Sequence, residues 1–143
     1  MQDTATLSSP IRVLLVEDNL ESAFLTRSHL QESGDNVFHV EWSANLTEGM
    51  SRLAKPGIDV VVLDLGLPEL NGHTCYRAIA SVVGRTLPIV ILTSDDRPLS
   101  RERTLGFGTT RYLLKNQVSP AEIRQAVQDS VPSRNPLVRG TRV

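Results

Sequence analysis

Val60-Val-Val-Leu-Asp64-Leu-Gly66-Leu-Pro-Glu-Leu-Asn-Gly72 is the stretch on which the fold turns. Four apolar residues without a polar break suit a strand buried on both faces, as parallel strands covered by helices are. The run stops at an acid and passes into a Gly- and Pro-containing segment. Ile89–Leu92 repeats the pattern. Ile11–Val16 does so too, interrupted only by Arg12 and ending at Glu17-Asp18. Val37–Trp42 alternates weakly, and Tyr112–Leu114 is a shorter fifth candidate. Between these runs the apolar period changes to that of a helix. Residues 20–33 carry Leu20, Phe24 and Leu30. A second stripe holds Leu46, Met50, Leu53 and Ala54, and a third holds Tyr76, Ile79, Ala80 and Val83. Residues 97–106 offer only Leu99 and Leu105, so this fourth helix is expected to be the most mobile. A fifth follows Pro120, with Ile123, Ala126, Val127 and Val131. Strand and helix alternate throughout. The expected fold class is α/β: a doubly wound five-stranded parallel sheet with five helices and right-handed crossovers.

The chain has 143 residues, enough for one domain. Residues 11–131 form the expected domain, after an N-terminal extension, 1–10. A Pro- and Arg-containing segment, 132–143, reads as a flexible tail or truncated linker. Fifteen Lys and Arg against 16 Asp and Glu leave a net charge of −1. That balance provides no basic field for direct nucleic acid binding. Six aromatic residues, three Phe, two Tyr and one Trp, are too few for a base-stacking surface. The lone cysteine, Cys75, excludes an internal disulfide and reads as a small packed apolar residue. His29, His39 and His73 have no metal-ligand spacing. No signal peptide or membrane span is visible, so a cytoplasmic location is expected.

In parallel α/β sheets, ligands bind at the carboxyl ends of the strands. Glu17-Asp18 ends strand one, Asp64 strand three and Thr93 strand four, and Lys115 follows strand five. Alone, each has an ordinary use: Asp18 serves equally as a helix cap, Thr93 as a turn residue, Lys115 as a solvated side chain. Together they put three carboxylates, a hydroxyl and an ammonium around one pocket. Each pair of like charges at about 4 Å costs about 4 kcal/mol at an effective dielectric of about 20. A divalent cation that favours oxygen ligands, such as Mg²⁺, relieves that repulsion. An acceptor carboxylate, a metal and donors for phosphoryl oxygens are the parts that in-line phosphoryl transfer requires.

Four segments carry a family resemblance: Val13-Leu-Leu-Val-Glu-Asp-Asn19, Val60 to Gly72, Pro88-Ile-Val-Ile-Leu-Thr-Ser94 and Tyr112-Leu-Leu-Lys115. Asp18, Asp64, Thr93 and Lys115 are 46, 29 and 22 residues apart in turn. In order and spacing these motifs resemble the receiver domain of two-component response regulators, a flavodoxin-like fold, over about residues 11–131. The resemblance implies that Asp64 is the phosphoacceptor, taking a phosphoryl group from a phosphohistidine. The donor would be a sensor histidine kinase or a histidine phosphotransfer protein. Asp18 and Asp64 would ligate Mg²⁺ directly, with the backbone carbonyl of Gly66, and Glu17 would act through water. Lys115 would pair with Asp64 and then with the phosphoryl group, to which Thr93 would hydrogen-bond. Tyr112 would change rotamer as Thr93 moves. The altered face of helix four, strand five and helix five would meet an output partner or a second copy. Such a protein is a signalling switch that catalyses only its own phosphorylation and dephosphorylation.

Some positions depart from the usual pattern. The first acid is Glu17, where Asp is also frequent. Gly66 presents no side chain two residues past the acceptor, while Asp95 adds charge two residues past Thr93. Gly106–Arg111 lacks the usual Gly-Ala-Asp. Asn116 replaces the usual Pro after Lys115, and a trans Lys115–Asn116 bond is expected, since a non-proline cis bond costs about 2.5–4 kcal/mol. Three other functions compete. An aspartyl-phosphate phosphatase usually has a second Asp where Gly66 stands. A flavin-binding module needs a phosphate loop where Glu17-Asp18 would repel phosphate. A receiver-shaped interaction domain would not take up phosphate.

Overall fold

The computed structural model describes residues 9–32, 34, 36–63, 79, 81, 87–93 and 109–131. In chain order they form β1 (Ile11–Val16), α1 (Leu20–Gln31), β2 (Phe38–Ser43), α2 (Leu46–Leu53), β3 (Val60–Leu63), β4 (Ile89–Thr93), β5 (Thr109–Leu114) and α3 (Pro120–Ser130). α3 is the fifth helix of the sequence pattern. Of the third, Ile79 and Ser81 are described, both helical. The expected fourth helix, 97–106, lies outside the described residues, as do Asp64, Gly66, His73, Cys75, Asp95 and segment 132–143.

The strands form one parallel sheet in the order β2-β1-β3-β4-β5. The chain steps outward from β1 to β2 and then returns to the other side of β1 for β3. Open sheets of this kind bind ligands beyond the strand ends at that reversal, here between β1 and β3.

Side chains alternate between the two faces of the sheet. Val13, Leu15, Val60, Val62, Val90, Leu92 and Leu113 pack with Ala23 and Leu30 of α1 and Ile123, Ala126 and Val127 of α3. Leu14, Val16, Val61, Leu63, Ile89 and Ile91 pack with Leu46 of α2 and with Ile79, flanked by Met50, Leu53 and Tyr112. Both faces are therefore covered, and the unbroken apolar runs follow from that. Gly49 lets α2 approach β1 closely: a Cβ there would stand 3.1 Å from Val16 Cγ2.

Helix signals in the sequence correspond to atomic caps. Asn19 caps α1 by accepting from the Ser22 N–H at 2.8 Å. Asn45 caps α2, and Ser119 and Glu122 form a reciprocal capping box before α3, with Pro120 in its first turn.

The apolar stripe expected on α1 needs correction. Leu30 is buried, but Leu20 and Phe24 are 67% and 68% exposed. Ala23 and Thr26 face the sheet instead, at positions i and i+3 to Leu30 at i+7. With small residues there, α1 packs against β2 and α3, and Leu20 and Phe24 stay exposed. Ala54, expected in the stripe of α2, is its exposed C-cap. β5 begins at Thr109, three residues before the expected start. No peptide bond among the described residues is cis, so Lys115–Asn116 is trans. The chain turns there through a Gln117 N–H to Leu114 carbonyl hydrogen bond of 3.0 Å.

Candidate phosphoacceptor site

Glu17 and Asp18 leave β1 in different environments. Asp18 is exposed. Since Asn19 caps α1, Asp18 is not held in that role. Glu17 is almost wholly buried, and its backbone N–H donates to the Ser43 carbonyl at 3.0 Å. One carboxylate oxygen lies 3.3 Å from the Asn19 N–H that donates to it. The other accepts from the Lys115 ammonium at 3.0 Å.

This last contact crosses the sheet. β1 and β5 are separated by β3 and β4, about 14 Å at ordinary strand spacing. Two long side chains close that distance over the carboxyl ends of the strands between them. Lys115 is anchored at its backbone, where its N–H donates to the Thr93 carbonyl at 2.8 Å. Its ammonium is turned toward the sheet edge, with the side chain 27% exposed. The Glu17 side chain is 2% exposed. A buried carboxylate is costly unless an opposite charge and hydrogen-bond donors meet it, and Glu17 has both.

Thr93 ends β4, buried, and is in register with Leu114. Tyr112 is in register with Ile91, so Thr93 and Tyr112 project on the same face, two residues apart along the strands. Leu63 is in register with Val16, and Asp64 follows Leu63 in the chain. Glu17, Thr93 and Lys115 thus meet at one sheet edge, with Asp18 next to Glu17. Asp64 and Gly66 lie outside the described residues. His29, on α1, and His39, on β2, are on separate elements.

The direct Glu17–Lys115 pair goes beyond the reading of the sequence, in which Glu17 acted through water and Lys115 faced Asp64. Its one sequence signal is Glu17 itself, a methylene longer than Asp. Nothing in the sequence pattern distinguishes Trp42 from its strand neighbours, yet its indole N–H donates to the Glu17 carbonyl at 2.7 Å.

The family model for the response regulator receiver domain matches residues 13–128. The chain belongs to the response regulator receiver domain family. As a receiver it is similar to part of the autoinducer 2 sensor kinase/phosphatase LuxQ of Vibrio vulnificus, 29% identical over 73% of this chain and 12% of that protein. It is 32% identical to the swarming motility regulation protein RssB of Serratia marcescens, over 73% of this chain and 46% of that protein. The chain thus spans less than half the length of these relatives. In fold it resembles a CheY-like receiver domain from Methanospirillum hungatei, with TM-score 0.76 and 19% identity over 88% of this chain and 97% of that one. No helix among the described residues is long and apolar enough to cross a membrane.

Proposed function

We propose that this receiver, residues 11–131, accepts a phosphoryl group on Asp64 in a Mg²⁺-dependent reaction. The observation that carries the reading is the Lys115–Glu17 pair at 3.0 Å, which brings a cation over the strand ends where Thr93 lies and after which Asp64 follows. The donor set also fits Mg²⁺, since adjacent carboxylates on Glu17 and Asp18 are oxygen ligands of the kind it prefers. When bound by Asp18, Asp64 and the Gly66 carbonyl, with Glu17 acting through water, Mg²⁺ supplies positive charge beside the phosphoryl oxygens.

An Asp64 oxygen attacks phosphorus, the P–N bond of a donor phosphohistidine breaks, and the imidazole retains the electron pair. Lys115, on its flexible stem, turns from Glu17 to a phosphoryl oxygen, and the Thr93 hydroxyl donates to another. Tyr112 repacks as Thr93 moves. The donor is a sensor histidine kinase or a histidine phosphotransfer protein. The output partner, or a second copy, docks on segment 97–106, β5 and α3. β5 is an edge strand, and its exposed Arg111 approaches Asp129 of α3 at 3.8 Å. The protein is a switch that catalyses only its own phosphorylation and dephosphorylation, and its place is the cytoplasm.

Intact mass after treatment with acetyl phosphate and Mg²⁺ tests this. The expected result is a gain of one phosphoryl group, absent in Asp64→Asn, whose circular dichroism is unchanged. A wild type that gains no mass overturns the reading in favour of a receiver-shaped interaction domain.

A further inference from the structure

The Glu17 carbonyl lies where the parallel ladder between β1 and β2 gives out. The last pair in register is Val16 with Ser43, and the Glu17 N–H makes one further bond, to the Ser43 carbonyl. In a continuing parallel ladder the Glu17 carbonyl would next accept from the N–H of residue 45. The chain has left the sheet by then. The Ala44 N–H donates to the Glu48 carboxylate at 3.1 Å, and Asn45 is the N-cap of α2. Trp42 supplies a donor in its place: the indole N–H reaches the Glu17 carbonyl at 2.7 Å. This is the chain's only tryptophan.

That carbonyl belongs to the peptide plane joining Glu17 to Asp18, so fixing the oxygen fixes the plane. The plane sets the direction in which the chain enters Asp18. Glu17 is held independently, through its N–H to Ser43 and its carboxylate to Lys115 and the Asn19 N–H. Asp18 is exposed, so burial does not orient it.

We infer that Trp42 is a positioning residue for the metal site, holding the Glu17–Asp18 peptide so that Asp18 meets Mg²⁺ in one orientation. The inference rests on the Mg²⁺ reading above. Preorganising a ligand spares the binding step the ordering of that ligand, and the gain appears as affinity. One neutral hydrogen bond corresponds to a change of about 3- to 10-fold.

The experiment is calorimetric titration of the full chain with MgCl₂. Trp42→Phe keeps an aromatic ring and removes the donor, and its Mg²⁺ dissociation constant is expected to rise about 3- to 10-fold. Replacing Trp42 with 3-benzothienylalanine, where sulfur stands for the indole N–H at nearly the same shape, should give the same rise. This second variant keeps the test decisive where Trp42→Phe does not fold. In an Asp18→Asn background, removing the indole donor should change the residual affinity less than twofold, because the ligand it positions is gone. A purely structural contribution would be equal in both backgrounds. In the wild type, Mg²⁺ should also shift Trp42 emission. Undiminished affinity in the benzothienylalanine protein overturns the inference and leaves the metal reading standing. A wild type that gives neither heat nor an emission shift overturns both.

Discussion

Two carboxylate–cation pairs of similar length occupy different regions of this receiver. At the carboxyl edge of the sheet, Lys115 meets Glu17 at 3.0 Å, across 98 residues of sequence. On the outer flank, Arg52 of α2 meets Glu41 of β2 at 2.7 Å, across 11. The flank pair is two-pronged, with a second contact of 3.3 Å, and Arg52 also donates to the Lys55 and Pro56 carbonyls. Glu41 and Arg52 are 32% and 24% exposed, so each keeps contact with water. The edge pair confines its carboxylate to 2% exposure. A staple between helix and strand needs no such desolvation. Burying Glu17 is costly on its own account, and the Lys115 ammonium and the Asn19 N–H offset that cost.

Lys115→Met should produce the largest effect, because it leaves a buried carboxylate without this cation. Removing one partner from a fully buried pair costs about 3–5 kcal/mol, and the partial exposure of Lys115 reduces the expected loss to about 2 kcal/mol. Urea unfolding of the metal-free protein measures it. A loss no greater than that of Arg52→Met would erase the contrast between the two regions.

Mg²⁺ should act only at the edge. At about ten times its dissociation constant it should stabilise the wild type by about 1.4 kcal/mol, since the proposed site exists only in the folded chain. Asp18→Asn should remove most of that gain and Glu17→Gln less, because Glu17 is already engaged with Lys115. Arg52→Met should keep the full gain. Melting curves with and without MgCl₂ decide between these outcomes, and an undiminished response in Asp18→Asn would break the metal assignment.

The smallest effect belongs to the flank. Arg52→Met should cost about 0.5–1 kcal/mol, less at high salt. The hydrogen bond from Arg52 lowers the pKa of Glu41 below its usual 4.5, against the opposing effect of burial, with the charges of Arg52, His39 and Arg12 adding to the lowering. The unfolded chain therefore binds the proton first as pH falls. The contribution of the pair is fully present above the unfolded value and is lost as pH drops through the lower folded one. Stability measured from pH 6 downward should fall less steeply in Arg52→Met than in the wild type, and parallel curves would contradict the sign.

Much of the architecture was legible because burial on both faces leaves a direct mark. Val60–Leu63 can be apolar throughout only where both faces are covered. Ile123, Ala126 and Val127 announced the buried side of α3 for a similar reason: helical period plus one apolar stripe leaves one solution. α1 was different. Its period allowed Leu20 and Phe24 as well as Ala23 and Thr26, and only packing against β2 and α3 selected the smaller pair. The site divides in the same way. Acids and a hydroxyl at strand ends, with a lysine just beyond, are visible in one dimension, because strand direction in a parallel sheet sends every carboxyl end to one edge.

The sequence by itself determined the strand count, the parallel sheet and the edge at which Glu17, Thr93 and Lys115 gather. These follow from local chemistry: apolar runs, helical periods and caps act between residues near one another in the chain. Tertiary structure alone decided which charges meet. The Lys115–Glu17 contact depends on β1 and β5 lying on opposite sides of β3 and β4, and the Trp42 bond depends on where β2 leaves the sheet. Such contacts are set by the distance between elements and the reach of side chains across it, and neither is written into spacing along the chain.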